Sequence, residues 1–106
     1  MTRTLVMMPA KAKRGEVIEI KAMVEHVMET GFRHTELGVR VPRDIIRTFT
    51  CLYNGEEVYR ADFHPALVSN PMVQFYIRAE KSGKFDFQWT GDKDFVANAQ
   101  TSLVVD

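Results

Sequence analysis

The chain has 106 residues, 45% hydrophobic and 26% charged, with fourteen Lys and Arg against fourteen Asp and Glu. That length predicts one domain over residues 1–106, burying roughly 65% of the unfolded chain's surface around a single core. The balanced charge gives no whole-molecule field for nucleic acid or an anionic membrane, and no apolar run is long enough to cross a bilayer.

A first strand is predicted over Thr4 to Met8, ended by Pro9, and Lys11 to Gly15 follows as a charged, solvated turn. Glu16 to Val24 is the second strand, with Ile18, Ile20, Ala22 and Val24 inward and Glu19 and Lys21 outward. Such a period of two is what a strand with one buried face requires, because successive side chains point to opposite sides of the sheet. A third strand runs from Ile46 to Tyr53 and meets Asn54-Gly55, a pair suited to a hairpin turn that needs positive φ at both central residues. The return strand carries Tyr59, Ala61 and Phe63 inward and stops at His64-Pro65, and Ser69-Asn70-Pro71 breaks the chain again. Beyond it, Val73, Phe75, Ile77 and Ala79 alternate with Gln74, Tyr76, Arg78 and Glu80. After Ser82-Gly83, Phe85, Phe87 and Trp89 do the same, and after Thr90-Gly91-Asp92 a last run sets Phe95, Ala97, Ala99, Thr101, Leu103 and Val105 on one side. About seven strands with turns at this spacing predict an all-β fold, an immunoglobulin-like antiparallel β-sandwich.

One segment breaks the pattern. Glu25 to Asp44 shows no sustained alternation over about twenty residues, several times the usual connection of roughly 4–6. Two readings are open. Either this is a binding loop on a rigid scaffold, or it is a small hairpin turning at Leu37-Gly38 that buries Met28 and Phe32 over one end of the sandwich. Outside the loop, Val17, Met23, Val58, Met72 and Tyr76 fall on the solvent side of their strands, where clustered apolar residues would mark an interface.

Catalytic chemistry finds little support. Cys51, the one cysteine, shares a strand face with Phe49 and Tyr53 and reads as a small buried hydrophobe. It cannot form a disulfide within the chain, which fits a reducing compartment or an exported protein that does without one, and the apolar run at Leu5 to Met8 is too short for a signal peptide, so the residues taken alone point to the cytoplasm. His26, His34 and His64 lack metal-ligand spacing, and no nucleophile turn or glycine-rich phosphate loop is present. The alternative function is a small metal-binding or redox enzyme using those histidines. A carbohydrate- or ligand-binding sandwich would need Trp89 exposed, against its place beside Phe85 and Phe87.

Met28-Glu29-Thr30-Gly31-Phe32-Arg33, then Val41-Pro42-Arg43-Asp44-Ile45-Ile46 and Phe49-Thr50-Cys51-Leu52-Tyr53-Asn54-Gly55, resemble the Z subunit family of the bacterial Sox thiosulfate-oxidising sulfur carrier. Asp62-Phe63-His64-Pro65-Ala66 and Ser69-Asn70-Pro71 match as well, so the likeness covers nearly the whole chain. A departure is Val27, where the family often has proline. The resemblance implies a non-catalytic subunit without cofactors, paired with a Y subunit whose flexible Gly-Gly-Cys-Gly-Gly tail holds the sulfur intermediates. It implies transient contacts with the Sox enzymes that the tail visits, no nucleic acid or membrane partner, and Met28, Glu29, Thr30, Gly31, Phe32 and Arg33 as partner-binding residues. The sequence closes on Val104-Val105-Asp106 and not on such a tail, as expected of the scaffold half. It also implies a periplasmic site of action, reached by export with a signal-bearing partner, since no signal peptide of its own is expected.

Overall fold

The structure is a computed structural model and describes residues 3–26, 28–63 and 70–106. Eight strands follow in order: β1 (Thr4–Met7), β2 (Lys11–Ala12), β3 (Val17–Val24), β4 (Ile46–Tyr53), β5 (Glu56–Asp62), β6 (Met72–Arg78), β7 (Gly83–Gly91) and β8 (Val96–Val105). They form a three-stranded sheet, β1-β3-β6, and a five-stranded sheet, β2-β8-β7-β4-β5. This is the immunoglobulin-like sandwich that the alternation predicts. Every pairing is antiparallel except β2 with β8.

That exception corrects the reading of Lys11 to Gly15 as a plain turn. Lys11 and Ala12 pair in parallel with Val104 and Val105, and Ala12 is buried. The apolar Ala12 side chain is the sequence signal, too short for periodicity to show.

The inward residues of both sheets meet in one cluster. Phe49 of β4 sits at its centre. Its ring lies 5.1 Å from Trp89, 6.1 Å from Phe87, 6.3 Å from Tyr59 and 5.9 Å from Phe75 of the opposite sheet. Tyr59 and Phe75 stack at 4.1 Å and join the edge strands β5 and β6 across the sandwich. Such pairs add to the large apolar area each ring removes from water.

Two local devices fix the register of β4. Asn54 and Gly55 both have positive φ, 51° and 84°, which gives the hairpin turn its right-handed twist. A bulge then pairs Cys51 with Tyr59 but Leu52 with Glu57, leaving Val58 as the extra residue. Val58 therefore packs against the core beside Tyr59. This corrects its expected solvent-facing position, because strict alternation fails across a bulge.

The register sorts the connections by end. The 25–44 loop, the 92–95 turn and the start of β6 lie at one end, and Asn54-Gly55, Ser82-Gly83 and Asp106 lie at the other. The molecule measures 60 × 20 × 19 Å. Even the ten residues of β8 span only about 33 Å, so the end connections contribute much of the length.

Truncating the central ring tests this account of the core. Phe49→Ala should cost about 3–5 kcal/mol in urea unfolding, with the slope of the transition unchanged.

Candidate partner-binding surface

The 25–44 loop leaves β3 at Val24 and is pinned at its base before it projects. Glu29 and Asp44 exchange backbone hydrogen bonds at 2.8 Å in each direction. Between them and the core, Met28 is only 7% exposed, and its sulfur accepts a hydrogen bond from the Ile46 amide at 3.2 Å. Met28 is thus part of the core, which corrects its expected place on the binding surface. A flexible, apolar side chain fills the gap under a loop more favourably than it would sit in water.

A second clasp holds the loop's return. The Arg43 guanidinium donates twice to the Asp92 carboxylate, at 2.8 and 2.9 Å, and the Ile45 amide donates to the same carboxylate at 3.2 Å. The Arg43 hydrogen bonds, reinforced by the Ile45 amide, hold the Asp92 carboxyl below its ordinary pKa against the opposing cost of desolvation. Gly91 is required here because an added Cβ would stand 2.4 Å from the Ile45 carbonyl oxygen. His26 lies nearby, edge-on to Phe95 at 4.8 Å, with Nε2 3.6 Å from Asp44 Oδ1.

Between these clasps the chain makes a compact, polar-stitched turn. Glu29 accepts two hydrogen bonds from Arg33, at 3.1 and 2.7 Å, and this pairing lowers the pKa of its carboxyl. The Thr30 hydroxyl accepts from the Phe32 amide at 3.3 Å, and the Gly31 carbonyl accepts from Arg40 Nε. Gly31 has φ +92°, and a Cβ there would meet Arg43 Cβ at 3.1 Å, so no other residue fits without strain. Residues 34–40 then form a hairpin, bridged between His34 and Arg40 and closed by the Thr35 and Val39 backbone groups.

The hairpin reading holds in part: residues 34–40 do form a hairpin and Met28 is buried, but Phe32 is not. Phe32 is 75% exposed and Leu37 92% exposed, with Val39 also open to water. The internal hydrogen bonds of Glu29 to Arg33 fix the backbone while leaving the Phe32 ring outside.

A second apolar region lies on the outer face of the β1-β3-β6 sheet. Val17, Met23, Met72 and Tyr76 are there, as alternation predicts, joined by Leu5 and Met7 of β1. Those two were missed, although Leu5-Val6-Met7-Met8 is apolar at every position, which a strand with one solvated face has no reason to be. The five-stranded sheet turns Thr50, Asp86, Gln88, Asn98 and Gln100 outward around a shallow groove that Leu52 also lines, with Val96 and Val104 exposed on the same face.

Cys51 is fully buried, paired in register with Tyr59 and Phe87. Desolvation, with a smaller contribution from the Asp86 charge, pushes its thiol up to about 12. Trp89 is also fully buried, so it offers no stacking surface to a sugar. Among the described residues no three His, Cys, Asp or Glu side chains converge to hold a metal, and His64 lies outside the described residues, as does Val27.

Comparison with known proteins decides the family. Residues 6–102 match the model of the family described as sulphur oxidation protein SoxZ. The chain belongs to the SoxZ family. Membership makes it a subunit of the Sox sulfur-carrier complex, the role its motifs imply. No curated protein sequence matches this SoxZ-family chain. Among solved structures, superoxide reductase (neelaredoxin) from Ignicoccus hospitalis is similar with a TM-score of 0.76 and 18% identity, covering 97% of this chain and 80% of that one. The sulfur carrier protein SoxY from Chlorobium limicola f thiosulfatophilum has a TM-score of 0.67 and 12% identity, covering 97% and 78%. The CARDB domain of a Pyrococcus furiosus protein follows at 0.58 and 12%, covering 100% and 94%. At such identities these likenesses show the fold alone.

Two measurements test the site's chemistry. The folded pKa of Asp92 is depressed, so its stabilisation is complete above the unfolded carboxylate value near 3.9 and disappears as pH falls through the lower folded value. Asp92→Asn should therefore lower the Tm by about 5 °C at pH 7, and the gap to the unsubstituted chain should narrow below pH 4. A thiol reagent at pH 8 should leave Cys51 unmodified in the folded chain and modify it fully in denaturant.

Proposed function

We propose that the chain is the non-catalytic half of a heterodimeric sulfur carrier in thiosulfate oxidation. It binds and presents a Y subunit whose C-terminal cysteine holds the sulfur intermediates. The observation that carries this reading is the burial of Cys51. A sulfur carrier needs a thiolate that can reach one enzyme after another, and a thiol with a pKa near 12 inside a β-sheet can neither ionise nor move. The mobile thiol must then belong to the partner. The Y subunit is the natural one, and the Chlorobium limicola SoxY shares this chain's sandwich fold.

Glu29, Thr30, Gly31, Phe32 and Arg33 make the partner-binding segment. Phe32 is its anchor, because an aromatic ring held out by a hydrogen-bonded turn has lost little freedom before it binds. The domain comprises residues 1–106, takes no cofactor, and touches the Sox enzymes transiently while the partner's tail is in their active sites. It works in the periplasm, exported in company with a signal-bearing Y subunit. The balanced charge of the chain supports neither a nucleic-acid nor a membrane partner.

Co-expression with a Y subunit, using a tag on this chain, should recover a second subunit ending in a glycine-flanked cysteine. Phe32→Asp should weaken that association at least tenfold by calorimetry and leave the Tm within about 2 °C. Met28→Asp, by contrast, should unfold the domain, since it buries an unpaired charge. Turnover of a sulfur compound by the purified chain alone would defeat the proposal.

A further inference from the structure

The sandwich has four edge strands, and three of them are poorly suited to further pairing. β2 is two residues long, and β1 is four residues long and packs beside β8. β5 is interrupted by its bulge and carries Glu56, Glu57, Arg60 and Asp62. Short length, bulges and charges are the devices that keep a sheet edge from pairing with other chains. β6 lacks them. Met72 to Ile77 hold no Pro and no charge, and the strand pairs with β3 in unbroken register as far as Arg78.

The alternation of an antiparallel ladder fixes which backbone groups of β6 are open. The Ala79 amide donates to the Glu16 carbonyl, and the Pro71 carbonyl accepts from the Val24 amide, so the odd-numbered residues face β3. Met72, Gln74, Tyr76 and Arg78 therefore turn their N–H and C=O groups the other way, where no strand meets them among the described residues. Past Arg78 this side is capped, because the Glu80 and Lys81 amides donate to Tyr53 Oη at 3.3 and 3.1 Å.

Beside the open groups, a groove of about 340 Å³ lies between β5 and the end of β6. Val58 and Ile77, both half-buried, supply its apolar lining, and Glu56, Arg78, Glu80 and Lys81 its charged rim. On an added antiparallel strand, the residue opposite Ile77 would sit with its Cα about 4.5 Å away and its side chain on the same side of the sheet. That side chain enters the groove above Val58.

Burial decides what kind of chain fits. A second copy pairing through its own β6 would offer Val73, Phe75 and Ile77 on the groove side, and these already pack into its own core. It would also bring two β5 strands together, each with Glu56, Glu57 and Asp62 against Arg60. An extended segment outside any sheet has both rows of side chains free. It satisfies the backbone groups and the groove at once.

We infer that β6 accepts an extended segment of another protein as an additional antiparallel strand, paired with Gln74, Tyr76 and Arg78 and seating one large apolar side chain over Val58 and Ile77. This docking mode does not depend on the carrier reading.

A displayed library of random peptides of about ten residues, selected on the full chain, supplies the probe. Synthetic copies of the selected peptides should share one large apolar position, where Asp weakens binding about tenfold or more. N-methylation of every second peptide residue removes a donor to β6 and should also weaken binding about tenfold, while methylation of the intervening residues changes it less than about twofold. In amide exchange read by NMR, bound peptide should slow Tyr76 and Arg78 about tenfold and leave Glu36, in the hairpin at the far end, unchanged. A peptide that binds without slowing Tyr76 and Arg78, or that loses affinity at consecutive methylated positions, overturns the assignment, as does a selection that yields no binder. Slow exchange of Tyr76 in the isolated chain, with a dimer in sedimentation, would give the edge to a second copy and overturn it too.

Discussion

Everything else in the molecule depends on the ring of Phe49. It touches aromatic neighbours on its own sheet and one on the opposite sheet, so it sets both the spacing and the lateral alignment of the two layers. Rings at this density cannot shift independently, because protein interiors are packed like organic crystals. The β4–β5 bulge adds Val58 and Tyr59 to the same wall. A scaffold held this way gives any surface feature a fixed place.

The long loop uses that rigidity. Its base is tied by the Glu29–Asp44 backbone pair, the Met28 side chain and the Asp92 carboxylate, which belong to three different parts of the chain. Local hydrogen bonds then satisfy the turn from Glu29 to Arg33 without using the Phe32 ring. The ordering cost of the loop is met by the fold itself, so an incoming partner need not meet it. That separation of stabilising and displayed residues is what a docking subunit needs.

Sequestering the only cysteine complements this display. A thiol in the centre of a sheet contributes packing and no chemistry, and its neighbours Tyr59 and Phe87 leave no path to solvent. The two faces of the sandwich also differ in kind. One carries apolar side chains around an internally paired polar network, and the other is mostly polar, with Leu52, Val96 and Val104 set among its polar residues.

The sequence by itself determined the sandwich, since period-two alternation leaves a strand one way to bury Ile18, Ile20, Phe85, Phe87 or Trp89, and Asn54-Gly55 admits one kind of turn. It also carried the burial of Cys51 and the motif from Met28 to Arg33. Only the tertiary structure decided which of two apolar residues in that motif faces water. Met28 and Phe32 look alike along the chain, and they part because residues distant in sequence, Ile46 among them, close over one and not the other. The parallel pairing of β2, the inward turn of Val58 and the union of Leu5 with Met23 and Met72 were decided there too. Each depends on contacts between separated segments, and a local pattern of polarity holds no record of those.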